Sequence, residues 1–197
     1  MPAWFRSRLQ EFSSASSATA WSRARYGHSD HEPLDADACA RLGRFRTSSP
    51  NFGAELVAVC FDSSALVKLL VEESGSEVAA RLWDEADTVV TSRLAFPEVS
   101  AALAAARRSH RLRPADERRA RRSWEDLWSG TRVIELTDAV AAEAAGLAEQ
   151  FVLGGADAVH LASAMAVLDM HPILAAWDLR LRAAALDAGL RLAPADI

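Results

Sequence analysis

Four carboxylates stand where an acid can do chemistry in this 197-residue chain: Asp62, Glu98, Asp157 and Asp178. Asp62 ends the apolar run Val57-Ala58-Val59-Cys60-Phe61, and Glu98 follows Phe96-Pro97. Asp157 follows Gly154-Gly155-Ala156, and Asp178 closes the stretch Ile173-Leu174-Ala175-Ala176-Trp177. Each falls at a strand end or at the start of a helix beside one, and in open α/β sheets ligands bind outside the carboxyl ends of the strands. Taken singly, such an acid serves equally as a turn former or cap. Gathered in one pocket, two unit charges about 5 Å apart at an effective dielectric near 20 repel by roughly 3 kcal/mol. Either some protons stay bound or a divalent cation enters. An all-oxygen donor set with no cysteine or histidine cluster suits Mg²⁺ or Mn²⁺ and not zinc. Such a site activates water and stabilises in-line displacement at a phosphodiester, with two ions roughly 3.5–4 Å apart if both are held.

The elements that position these acids follow from local pattern. Residues 57–61 are apolar and too few for a helix, which predicts a strand buried on both faces. Ser63 or Ser64 is then expected to cap a helix carrying Leu66, Leu69 and Leu70. After the break at Ser74-Gly75-Ser76, a second helix is predicted from Glu77 to Ala86, and Thr88 to Thr91 is a second buried strand. Pro97 is tolerated only in a helix's first turn, so the alanine-rich helix reaching about His110 should begin near it, with Glu98 at its positive end. Pro114 opens a charged helix to about Trp128. Val133 to Leu136 is a third strand, and Thr137-Asp138 caps a helix to about Phe151. Two glycines form a tight loop that puts Asp157 at the N-cap or first turn of the next helix. Ile173 to Ala176 is a fourth strand, Leu179 to Ala188 a helix ended by Gly189, and Leu190 to Leu192 a short last strand. The alternation is that of an α/β layered domain with a parallel sheet.

Half of the residues are hydrophobic, enough for a core. No apolar run approaches the roughly 18–20 residues of a membrane span, and no secretory signal opens the chain, so a cytoplasmic protein with no membrane partner is expected. Cys39 and Cys60 lie in unlike settings and suggest neither a disulfide nor zinc. A formal charge of −5 argues against a general polyanion binder while leaving room for a local basic face. Residues 1–53, with Ser13-Ser14-Ala15-Ser16-Ser17 and Ser48-Ser49-Pro50, show no sustained apolar period. They read as an extension, disordered or a gene-model artefact, although Trp4, Phe5 and Phe12 allow a short docked helix over residues 4–12. No methionine lies between Met1 and Met165, which makes a misassigned start easy.

In order, Asp62-Ser63-Ser64-Ala65-Leu66, Glu98-Val99-Ser100-Ala101-Ala102-Leu103, Asp157-Ala158-Val159-His160-Leu161-Ala162 and Trp177-Asp178-Leu179-Arg180-Leu181 resemble the motifs of PIN-domain ribonucleases, specifically VapC-like toxins of toxin-antitoxin pairs. The resemblance covers about residues 57–197. It implies a PIN-like α/β/α sandwich with a central, mainly parallel sheet of four or five strands. It also implies a homodimer that hydrolyses RNA with Mg²⁺ or Mn²⁺ and is silenced by a cognate antitoxin. Asp62, Glu98, Asp157 and Asp178 would be the catalytic and metal-holding residues, with Ser64 and His160 supporting. His160 has a competing reading as an interior histidine that only hydrogen-bonds. Arg107, Arg108 and Arg111, with Arg113, Arg118, Arg121 and Arg122 near them, are candidates to grip RNA phosphates, against a solvated, salt-bridged helix face. One departure is Gly154, where the motif often carries an arginine; the extension over residues 1–53 is another. Two other readings compete: a catalytically weak protein that binds RNA or antitoxin in operon autoregulation, and a phosphoryl-transfer enzyme of another α/β family. The intact acidic quartet disfavours the first, and Ser63-Ser64-Ala65 after the first aspartate disfavours the second.

Overall fold

The computed structural model describes residues 56–196. The expectations for residues 1–53, Cys39 included, lie outside the described residues. Five strands, β1 (Ala58–Phe61), β2 (Thr88–Ser92), β3 (Arg132–Ile134), β4 (Ile173–Ala175) and β5 (Arg191–Ala193), form one sheet in the order β3-β2-β1-β4-β5. Every pairing is parallel. From central β1 the chain moves outward through β2 and β3, then returns to β4 on the other side. The carboxyl ends of β1 and β4 therefore flank the point where strand order reverses, the usual crevice of such sheets.

The intervening helices are α1 (Ser63–Lys68), α2 (Ser76–Glu85), α3 (Ala95–Arg108), α4 (Pro114–Ser129), α5 (Asp138–Phe151), α6 (Gly155–Met165) and α7 (Leu179–Asp187), with a 3-10 turn at Leu168–Met170. Successive β1 residues point to opposite faces, as strand geometry demands. Val59 and Phe61 pack with Leu66, Leu70, Val99, Leu103 and Leu127 on the side of α1 to α4. Cys60, Val90 and Leu174 pack with Leu147, Leu161 and Leu181 on the side of α5 to α7. The result is a three-layer α/β/α sandwich, with Cys60 in its core. Among the described residues no helix is long and apolar enough to cross a membrane.

Several boundaries differ from the sequence reading. Asp62 itself caps α1, its carboxylate accepting from the Ala65 amide, so Ser63 and Ser64 lie inside the helix and are free for other work. The helix ends at Lys68; Leu69 and Leu70 continue only as tighter turns, bonded to the Leu66 and Val67 carbonyls. Helix α3 begins at Ala95, which keeps Pro97 and Glu98 in its first turn. Strand β3 ends at Ile134, because Glu135 turns out to pair with Arg93 and Leu136 faces solvent. Neither Gly154 nor Gly155 needs a left-handed backbone; the positive φ at that junction, 54°, belongs to Val152 at the end of α5.

Candidate active site

The acids are delivered to one edge of the sheet by three separate devices. Asp62 leaves β1 directly, with its amide bonded to the Ala175 carbonyl of β4 at 3.1 Å. Glu98 and Asp157 are carried in the first turns of α3 and α6, where the helix dipole favours a negative charge. Asp178 caps α7, accepting through Oδ1 from the amides of Arg180 and Leu181. The arrangement is graded by depth. Asp62 is buried, Glu98 and Asp157 are half-buried, and Asp178 is exposed at the rim.

Their electrostatics register that proximity. Burial pushes the Asp62 carboxyl up from 3.8 to about 6, against the opposing pull of the Ala65 amide, His160 and Ser64, and the charge of Asp157 adds to the rise. Asp157 is also raised, first by burial and next by the charge of Asp178, with Glu98 contributing. Glu98 goes the other way. Burial disfavours its charge, but hydrogen bonds from His160 and Ser63 and the charge on His160 outweigh that and hold its pKa low.

Hydroxyls and an imidazole brace the acids. Ser64 Oγ donates to the Asp62 carboxylate, 2.8 and 2.9 Å from its two oxygens, and accepts from the Trp177 amide at 3.1 Å. Buried His160 places Nε2 2.7 Å from Glu98 Oε2, a hydrogen-bond distance. Ser63 Oγ donates to that same oxygen. Sequence reasoning missed Ser63; the available signal was its place beside Asp62 once the aspartate had taken the cap. It also missed Arg182, whose buried guanidinium donates to the carbonyls of Ala176, Pro194 and Ala195 and fixes the turn leading to Asp178.

The candidate arginines stand elsewhere. Arg107 and Arg108 close α3 at the end opposite Glu98, roughly 14 Å along the axis at 1.5 Å per residue. Arg107 approaches Glu117, which also holds Arg121, while Arg111 approaches Glu73 and Arg113 pairs with Asp116. That is the salt-bridged helix face. Arg180, on the first turn of α7, is the arginine whose charge reaches Asp157.

The donor set fits a hard divalent cation. Its oxygens are carboxylate, its one imidazole is bonded to Glu98, and burial, with neighbouring like charges, raises two of the acids. Among the described residues no group of three or more His, Cys, Asp and Glu side chains is drawn together tightly enough to be a preformed ion cage.

A family model, the PIN domain, matches residues 59–171. The chain belongs to the PIN-domain family. The matched stretch includes three of the four acids, and Asp178 lies beyond it. Two curated relatives from Mycobacterium tuberculosis strains, named Ribonuclease VapC45 and Ribonuclease VapC49, are each 53% identical over 139 residues, covering 71% of this chain and 96% of the relative. The fold is similar to those of solved structures. FitAcB from Neisseria gonorrhoeae matches at a TM-score of 0.51 and 17% identity, covering 68% of this chain and 95% of the other. PAE2754 from Pyrobaculum aerophilum matches at 0.51 and 20%, covering 74% and 91%. The PIN sandwich expected from the four motifs is therefore present, with all five of its strands parallel.

Proposed function

We propose that the protein is a divalent-metal-dependent endoribonuclease, the toxin of a type II toxin-antitoxin pair, held inactive by a cognate antitoxin. What carries the reading is 53% identity across nearly the full length of two proteins named Ribonuclease VapC. The graded acidic edge at the switch point of the sheet supports it. Homodimerisation and a cytoplasmic location belong to the same reading; sedimentation tests the first.

Hydrolysis of an RNA phosphodiester forms a bond from water oxygen to phosphorus and breaks a bridging P–O bond. One water proton goes to the leaving oxygen and the other passes to solvent. Asp62, Glu98 and Asp157 would hold Mg²⁺ or Mn²⁺, with Asp178 an outer ligand. When bound, the cation supplies positive charge against the carboxylates' repulsion and against charge developing on the phosphoryl oxygens. Asp62, fixed by Ser64 and the Ala65 amide, anchors the floor of the site. Asp157, carried half-buried in the first turn of α6, would share the cation with Asp62 and Glu98. Arg180 is better placed than Arg107, Arg108 or Arg111 to meet an RNA phosphate near the reacting bond.

The test is cleavage of total bacterial RNA by purified protein with Mn²⁺, with EDTA, and by the Asp157→Asn variant, with product ends mapped. Metal-dependent cutting lost in the variant is expected. Folded, antitoxin-free protein that cuts no RNA with Mn²⁺, or with Mg²⁺ in its place, would overturn the reading.

A further inference from the structure

Glu98 is held in a way that the motif does not disclose. Two side chains from different elements converge on one of its oxygens: Ser63 Oγ, from the first residue of α1, at 2.5 Å, and His160 Nε2, from the second turn of α6, at 2.7 Å. The Ser63 oxygen and His160 Nε2 are themselves 3.2 Å apart, so the three polar atoms form a closed triangle. Chemistry fixes the protons within it. A glutamate carboxylate only accepts, so Ser63 Oγ and His160 Nε2, both within hydrogen-bond distance of Oε2, both donate to it. Oε2 is thereby used twice. Among the described residues Oε1 accepts no hydrogen bond, so it is the oxygen left for a ligand.

The neighbouring serine completes the pattern. Ser64 braces Asp62 and the Trp177 amide, so three consecutive residues at the end of β1 tie together the ends of β1 and β4 and the first turn of α3. Glu98 needs this help. It is carried by α3, and nothing in α3 itself fixes its two terminal rotors; an unheld glutamate side chain gives up its rotamer freedom on capturing an ion.

We propose that Ser63 and His160 are positioning residues that clamp Glu98 by Oε2 and present Oε1 to the divalent cation, setting the affinity of the site for metal. This rests on the metal-dependent reading above. Orienting partners of metal ligands typically change affinity by about 10- to 100-fold when removed.

The experiment is Mn²⁺ titration of the full chain without RNA, followed by the EPR signal of free ion, on wild type, Ser63→Ala, Ser63→Thr, His160→Leu and His160→Gln. Metal-free melting curves show whether each variant is folded. Ser63→Ala and His160→Leu are expected to weaken Mn²⁺ binding at least about tenfold. Ser63→Thr and His160→Gln, which retain a donor, should restore most of it. RNA cleavage by Ser63→Ala should recover at high Mn²⁺, because the lost property is occupancy. Wild-type affinity in folded Ser63→Ala overturns the clamp and leaves the nuclease reading intact, as does failure of Ser63→Thr to rescue. Wild-type protein that takes up no Mn²⁺ overturns both, and protein that binds Mn²⁺ with the expected variant pattern but cuts no RNA overturns only the nuclease reading.

Discussion

Replacing Gly75 with alanine should cost far more than one methyl group suggests. Gly75 caps α2 at φ 89°, a backbone conformation in which an L side chain is strained by about 1–2 kcal/mol. Its added Cβ would stand 2.6 Å from Trp177 Nε1 and 2.9 Å from Cε2, well inside contact distance. The indole cannot easily retreat. Lys68 Nζ lies 5.0 Å from its ring centroid, and the Trp177 amide is tied to Ser64. Forced repacking of this kind costs about 1–3 kcal/mol. Alanine's restriction of the unfolded chain offsets about 0.4–1 kcal/mol of this loss. A net loss of about 1–5 kcal/mol follows, and its middle value of about 3 kcal/mol lowers the melting temperature of a domain of this size by about 10 °C. Thermal melts followed by circular dichroism measure it. In a Trp177→Leu background the same substitution should cost only the backbone strain, so the double-mutant cycle separates the two causes. Because Trp177 precedes Asp178, RNA cleavage should fall with it. A Gly75→Ala protein that melts at the wild-type temperature would refute the reasoning.

In metal-free buffer, Asp62→Asn should melt above wild type at pH 8. The folded state raises the Asp62 pKa from 3.8 to about 6, so native protein binds a proton the unfolded chain gives up, and wild type gains stability as pH falls through 6 towards 4. The advantage of the asparagine variant should shrink over that window; an advantage constant from pH 8 to 4.5 would contradict the burial of a charge. Millimolar Mg²⁺ or Mn²⁺ should raise the melting temperature of wild type and not of Asp157→Asn, since an ion bound only by folded protein stabilises it by mass action; an unchanged melt in wild type would count against the site. A protein of residues 57–197 should fold and cleave like the full chain, and insoluble product would show that residues 1–53 belong to the fold. Leu161→Ala, in the core between α6 and the sheet, should cost about 2–5 kcal/mol in chemical denaturation.

What was legible in the chain follows from how local its cause is. Asp62 follows a strand because the apolar run stops there, and Glu98 lies in a helix's first turn because Pro97 is tolerated only there. Asp157 and Asp178 open helices for equally local reasons, so the parallel sheet and the edge that collects the acids could be assembled from pieces. The cap of α1 was misassigned for a reason of the same kind: aspartate and serine cap a helix nearly equally well, and only three-dimensional demand decides which is spent on it. Here Asp62 takes the cap with Oδ1, which frees Ser63 and Ser64 to turn outward to partners from distant elements. Those partners are set by where α3 and α6 cross the sheet, a property of packing that no spacing along the chain records. Gly75 shows the same division. A helix break was readable from Ser74-Gly75-Ser76, but the need for a hydrogen in place of a methyl is imposed by an indole from the end of β4. Side chains that hold another residue are therefore the ones that a sequence hides, and in this PIN domain they include Ser63 and His160 beside Glu98 and Ser64 beside Asp62.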